Sequence, residues 1–385
     1  MDPKLIANRV RGSYLGLLIA DSLSMPVHWY YNPGHIQRDY GRITTFQPPK
    51  AAHPSSIMQL SNTGGAGRGA QTGSIIGDVI NHGKKQFWGV PNMHYHQGMR
   101  AGENTLNALV ARLLVRTMVG LPGATAAAGA EGVAPAPFAA TPAAALQGRA
   151  YTAEPFLAAY VPFMTTPGSH NDTYAETYHR MFFKNMVAGK APSACADDDK
   201  HNVDSAGGLV LLPPPALLAA AAASSASAEA AAAAARAAAT AQMYATHNSQ
   251  RLAGFVGVYA DALAAVLTST LPPGDALRQA TAAAGKRLGV DIAKLVRDTP
   301  GQGRDTEVIG GTFTSACYID GSLPSLLYLA NKYADSPREA LIANTNVGGE
   351  NCHRVRGGAC PVLVQLVHST CFSIFASPRH PTTRA

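Results

Sequence analysis

Charge is scarce in this chain: Asp, Glu, Lys and Arg make up 14% of its 385 residues, against about 25% in an ordinary domain. Much of that deficit lies in alanine-rich tracts, so it does not point to a membrane protein. Long apolar runs are missing too, since no stretch offers about 20 consecutive strongly apolar residues. The nearest approach, residues 219–241, is almost pure Ala and Ser and carries Glu229 and Arg236. That composition is too weakly hydrophobic to span a bilayer. Cysteine is sparse and odd in number. Cys195, Cys317, Cys352, Cys360 and Cys371 show no C-x-x-C spacing, which argues against a disulfide framework. Blocks of Lys and Arg are absent as well. The net charge of +7 is spread over scattered Lys and Arg without interleaved aromatics, which argues against a nucleic-acid partner. Strand signals are weak throughout.

What is present is a helical pattern. Residues 3–24 read as one helix, with Tyr14, Leu17, Leu18 and Asp21 on one face and Gly12, Gly16 and Ala20 forming a strip for close packing. This N-terminus resembles a signal peptide only superficially, because its apolar part carries Asp21 and continues into patterned sequence. The expectation is a cytoplasmic, soluble protein. A carboxylate at Asp21 is costly on an apolar face unless it is paired, hydrogen-bonded or beside a metal. The plainer alternative ends the helix there and leaves the carboxylate solvated.

A second helix follows Thr105 on Leu106, Leu109, Val110, Leu113 and Leu114, with Asn104 or Thr105 as its N-cap. Others are expected at 252–268, 274–287 and 323–333. Ser336-Pro337-Arg338-Glu339 reads as a capping box with Pro at the first helical position. The fold class is therefore all-α, a single core with two low-complexity insertions. Residues 121–149 are rich in Ala, Gly and Pro and read as poorly ordered. Residues 214–241 read as a loosely held helical insertion, because a face of methyl groups buries little. Residues 25–100 read as loop-rich. Within them, 64–73 (GGAGRGAQTG) lacks a preceding strand and is a surface loop, not a phosphate cradle. Asp197-Asp198-Asp199 lacks EF-hand spacing and reads as a solvated turn.

Polar residues gather in islands at helix ends: Asp21; His94 to Thr105; His170 to Asp172; His201 to Asp204; and Glu350 to Arg354. The last follows Gly348-Gly349, a pair that lets the backbone turn sharply and approach a ligand. Each island alone is explained as a helix cap. Islands on separate helix ends that share one core line a common cleft, which suits a metal- or sugar-handling hydrolase.

Three of these stretches, in order, resemble the ADP-ribosylglycohydrolase family. Ala20-Asp21-Ser22-Leu23-Ser24 is a loosened form of its Gly-Asp-Ala-Leu-Gly helix. Glu103-Asn104-Thr105 aligns with its Asp-Asp-Thr, again opening an Ala/Leu-rich helix. Residues 346–353 align with its Gly-Gly-Asp-Thr-Asp-Thr. Order, spacing and helix context agree over about residues 8–358, leaving 359–385 as an unmatched tail. The resemblance implies an all-α domain over 1–358 with a binuclear Mg²⁺ centre. It also implies hydrolysis of the glycosidic bond joining ADP-ribose to a protein side chain or a small molecule.

On that basis Glu103 is the expected general base. Glu103, Asn104, Thr105, Glu350, Cys352 and His353 are the expected metal ligands. Asp21, His96, Asp172, Asp204, Gly348 and Gly349 are the expected substrate contacts. The sequence departs from the family at these same positions. Glu103 and Glu350 stand for Asp, Asn104 and Cys352 replace Asp, and His353 replaces Thr; the acidic residue expected after the first helix falls near His28. Fewer anionic oxygens weaken an Mg²⁺ pair, whereas Cys and His favour Zn²⁺, for example on His94, His96, Cys352 and His353. The competing function is an inactive module that binds ADP-ribose or a nucleotide without metal. A Cys352-His353 thiol pair is disfavoured, because adjacent residues seldom face each other and no third orienting group is evident.

Overall fold

A computed structural model describes residues 2–61, 79–80, 82–120, 150–199 and 202–354. Residues 64–73, 121–149, His201, Cys360, Cys371 and the tail at 359–385, on which several of the expectations fall, lie outside the described residues.

Helices and short 3₁₀ turns make up the regular structure, and the only strand-type pairings among the described residues are isolated bridges. The first helix, α1, runs Pro3–Ser24, with Pro3 at its first position and the Asp2 side chain accepting from Lys4 N. Those are the two devices that start a helix cheaply, a pre-set φ and a satisfied orphan N–H. Gly12, Gly16 and Ala20 are buried along it, as their strip required. Asp21 is buried inside the helix, not solvated at its end.

α2 (Pro33–Tyr40) follows, then α3 (Leu106–Met118), α4 (Glu154–Thr165) and α5 (Thr177–Val187). The alanine-rich stretch forms α6 (Pro213–Ala223) and α7 (Ala228–Thr246), and α8 is Gln250–Thr268. These three pack on one another at the centre of the main core. The expectation of a loosely held insertion is corrected here. Ala231, Ala235, Ala238 and Ala239 fall at i, i+4, i+7 and i+8 and are all buried. Methyl faces bury little area each, but they let helix axes approach closely, and Leu252, Val256 and Leu263 of α8 supply the bulk.

The remaining helices are α9 (Pro273–Arg287), α10 (Ile292–Asp298), α11 (Asp305–Val308), α12 (Ile319–Lys332) and α13 (Pro337–Val347). α13 begins where expected, but Ser336 makes no capping bond from its side chain, and Glu339 pairs with Arg42 and Arg338. A further turn of helix covers residues 351–354.

Among the described residues, two apolar segments meet the length and hydropathy of a membrane span, Ala206–Ala223 and Gln250–Thr268, with 78% and 56% of each buried inside the fold. They are core elements of this bundle. One expectation about Asp197–Asp199 fails locally. Asp197 is 1% exposed, and burial pushes its carboxyl up to about 7, with Asp198 and Asp199 adding to that.

Candidate functional site

The site is built by two backbone segments that lock together. Gly348 and Gly349 both adopt the left-handed region, φ +68° and +62°. A Cβ on Gly348 would lie 2.2 Å from Tyr30 O, and one on Gly349 2.3 Å from Ser315 O. The glycines therefore face protein backbone at van der Waals range, which only glycine allows. Trp29 N donates to Gly349 O (2.9 Å), Gly349 N to Tyr30 O (2.7 Å) and Glu350 N to Ser315 O (2.8 Å). Trp29 itself sits at φ +64°, an uncommon conformation for a bulky residue. The result places Glu350 against His28 and Trp29.

From Glu350 a line of buried polar groups runs in both directions. On one side His28 Nε2 lies 3.1 Å from Glu350 Oε1, and His28 Nδ1 lies 2.8 Å from His96 Nε2. His96 Nδ1 donates to Asp172 Oδ1 (2.8 Å), whose other oxygen accepts from Leu106 N (2.8 Å) at the start of α3. On the other side His353 Nδ1 contacts Glu350 Oε1, and His353 Nε2 contacts Glu176 Oε1 and lies 2.8 Å from Asn107 Nδ2. Asn107 Oδ1 in turn accepts from Tyr178 (2.9 Å) and from His179 Nε2 (2.7 Å). Trp29 Nε1 donates to Glu350 Oε2 (2.5 Å). Trp29 also stacks on His28 and meets Tyr95 and Tyr174 edge-on.

The electrostatics follow from burial and pairing. Burial works against a charge on His353, but Glu176 and Glu350 override it and raise it to about 9. Burial alone would raise Glu350, yet His353 and His28 hold it well below the usual carboxylate range. Asp172 is lowered in the same way, against burial, by His96 and the Leu106 N–H. His28 is pushed well down, chiefly by burial. Among these groups Glu176 alone reaches solvent, with 15% of its side chain exposed. Its Oε2 makes no hydrogen bond among the described residues and faces Gly207, where a Cβ would come within 3.3 Å.

The expected site residues divide into three groups. Glu350, His353, His96 and Asp172 are brought together in this line. Asp21, Asn104 and Thr105 meet each other instead. Asp21 Oδ2 accepts from Thr105 N (2.7 Å) and Asn104 Nδ2 (3.0 Å), and Oδ1 accepts from Thr105 Oγ1 (2.9 Å). Asn104 Nδ2 also reaches Leu18 O and Ser22 Oγ. The remaining residues lie apart. Glu103 is half-buried, accepts from Arg100 N (2.7 Å) and Asn171 Nδ2 (3.1 Å), and has no contact with Glu350 or His353. Cys352 is buried with Met25 and Met99, its Sγ toward Asp21 O. Asp204 holds Ser249 and Arg251 at the start of α8.

A pair of Mg²⁺ ions calls for several convergent hard oxygens. Here the Asn104 amide and Thr105 hydroxyl are turned into Asp21 and the α1 backbone, Cys352 packs on methionines, and Glu103 faces Asn171. The donor set at the family's metal positions does not fit an Mg²⁺ pair. Among the described residues, the group whose ligand atoms do converge is His28, Glu350 and His353, all within 4.8 Å of one another. The Zn²⁺ set on His94, His96, Cys352 and His353 is not assembled either. His94 Nε2 donates to Pro26 O (3.0 Å) and its Nδ1 accepts from His96 N (3.0 Å), leaving no free nitrogen.

Sequence reasoning missed four participants: His28, Trp29, Asn107 and Glu176. Asn107 lay in the first turn of a predicted helix beside apolar residues, the same signal that singled out Asp21. His28 was noticed only as a departure. Glu176 had no local signal, because α5 lacks a clean apolar stripe.

No curated protein matches the chain closely enough to count as a relative. The family model described as ADP-ribosylglycohydrolase matches residues 2–355. That span takes in α1, the segment entering α3 and the Gly348-Gly349 turn, the three stretches on which the resemblance rested. On a match that covers nearly its whole length, the chain belongs to the ADP-ribosylglycohydrolase family.

Proposed function

We propose that this hydrolase cleaves a glycosidic bond of an ADP-ribosyl substrate, either an ADP-ribosylated protein side chain or a small-molecule ADP-riboside. In this reading Glu176 is the general base. The supporting observation is its Oε2, an unbonded carboxylate oxygen at the solvent-reaching end of an otherwise buried polar line. Cleavage passes through an oxocarbenium-like ribose carbon, and a water must be deprotonated as it attacks. Glu176 Oε2 accepts that proton. Oε1 is fixed by His353 and Asn107, so the free lone pairs are held in one direction. Glu350 holds His353, and Asp172 and His96 hold His28 behind it. Asp21, Asn104 and Thr105 act as supports that set the start of α3, which carries Asn107.

Turnover of ADP-ribosylated arginine, ADP-ribosylated serine and free ADP-ribosides tests the reading. Glu176→Gln is expected to lose roughly 10²- to 10⁴-fold in kcat, the usual worth of a positioned base. Glu103→Gln is expected to lose less than tenfold. A full loss in Glu103→Gln with turnover retained in Glu176→Gln would move the base to Glu103. Binding of ADP-ribose without turnover of any substrate would replace the enzyme with a binding module.

A further inference from the structure

Donor and acceptor counting singles out the space between His28, Glu350 and His353. Each hydrogen bond needs one proton, and a neutral imidazole supplies one. His96 Nδ1 must donate to Asp172, since an ionised carboxylate only accepts. His96 Nε2 then accepts, so His28 Nδ1 must donate to it. That leaves a lone pair on His28 Nε2, 3.1 Å from an acceptor oxygen of Glu350. Across the same carboxylate, His353 sits between Glu176 at Nε2 and Glu350 at Nδ1; a metal ion entering there displaces the Nδ1 proton, and Nδ1 then presents a lone pair as well. His353 Nδ1 is buried, and its contact with Glu350 Oε1 lacks the alignment of a hydrogen bond. With that proton displaced, three lone-pair donors lie within 4.8 Å of one another, and a cation satisfies them together.

We infer that His28 Nε2, Glu350 and His353 Nδ1 form a mononuclear site for a borderline divalent cation of the Zn²⁺ class. Two imidazoles and one carboxylate are the ligand types that suit such ions, and Mg²⁺ disfavours them. The surroundings have the form such sites need. Each imidazole is held through its other nitrogen, His28 by His96 and Asp172, His353 by Glu176, which fixes tautomer and ring orientation. Trp29 holds the second oxygen of Glu350 and so keeps the first turned inward. All three ligands are buried, which limits competing water. The binding claim is independent of the hydrolase reading and rests only on these donors.

The test uses the full chain, stripped with a chelator and titrated with Zn²⁺ or Co²⁺ in excess Mg²⁺. One equivalent of metal should bind, and Co²⁺ should give visible d–d absorption that Zn²⁺ abolishes. His28→Ala and His353→Ala should each lose stoichiometric binding. Asp172→Asn and Glu176→Gln, which loosen the supports, should weaken it roughly 10–100-fold. Cys352→Ser and Glu103→Gln should bind as the native chain does. If the His variants fail to fold, X-ray absorption of the Zn²⁺-loaded native chain replaces them, and should show imidazole scattering without sulfur. Loss of binding in Cys352→Ser, sulfur at the metal, or Mg²⁺ competing at equal concentration would overturn the inference. So would no binding at all, which would leave a proton as the shared charge.

Discussion

At the scale of single residues the site is a matter of which carboxylates are already spoken for. Asp21 and Glu350 both stand in motifs that resemble family metal positions and both are fully buried. Yet Asp21 spends its two oxygens on Thr105 N, Thr105 Oγ1 and Asn104 Nδ2, while Glu350 faces imidazoles and an indole. The difference assigns them different jobs. Asp21 supports the entry to α3, and its removal takes the acceptor from Thr105 N and Thr105 Oγ1, each loss costing about 1–3 kcal/mol when buried, while Asn104 Nδ2 keeps Leu18 O and Ser22 Oγ. Asp21→Ala is therefore expected to lower unfolding free energy by about 3 kcal/mol or more in urea denaturation. A loss below about 1 kcal/mol, combined with a large rise in KM, would mark Asp21 as a substrate contact instead. Residue identity alone could not separate these roles, because the sequence shows that a carboxylate is buried but not which donors surround it.

At the scale of elements, helices with a clean apolar stripe were legible. α1, α3, α8, α9 and α13 begin within a few residues of their expected starts. α4 and α5 were not, since α4 is apolar nearly all round with Pro162 inside it and α5 is aromatic and cationic by turns. The alanine helices were misjudged because burial of a methyl face depends on what packs on it, which only α8 reveals. The Gly348-Gly349 turn was legible as a turn, but not its purpose. It was read as room for a ligand, and the room is taken by Tyr30 O and Ser315 O. Gly349→Ala combines a left-handed φ, costing about 1–2 kcal/mol for alanine, with a Cβ 2.3 Å from Ser315 O. We expect a loss of about 3 kcal/mol or more in stability. Gly41→Ala is the control: φ is +68° and no atom lies within 4 Å, so only the backbone term applies. Equal losses for the two would mean that the contact with Ser315 contributes nothing.

At the scale of the whole molecule, the buried imidazoles dominate the response to acid. His53 is lowered to about 4 and His247 to about 3, in both cases mainly by burial. His94, His170 and His179 are lowered as well, again with burial as the first cause. A histidine whose folded pKa lies below its unfolded value near 6.5 binds fewer protons folded than unfolded. Stability then rises with pH across that window, and is lost as pH falls below 6.5 toward 4 and 3. Asp197, raised to about 7, works the other way, since the folded state holds its proton and stability falls as pH rises from the unfolded value toward 7. His28 is lowered too, so six imidazoles work against Asp197 and against His353, which is raised to about 9. Each lowered imidazole contributes up to about 1.4 kcal/mol per pH unit between its unfolded and folded pKa. Denaturation should therefore show the chain clearly less stable at pH 5.5 than at pH 7. His53→Gln retains a donor toward His28 O, the bond His53 Nε2 makes at 2.8 Å, and removes one titrating group. It should flatten the acid limb by about one proton, and Asp197→Asn should steepen it by the same amount between pH 5 and 7. Guanidinium titrations at half-unit pH steps read both slopes. A native profile level from pH 7.5 to 5 would show that the buried imidazoles do not stay neutral in the folded chain.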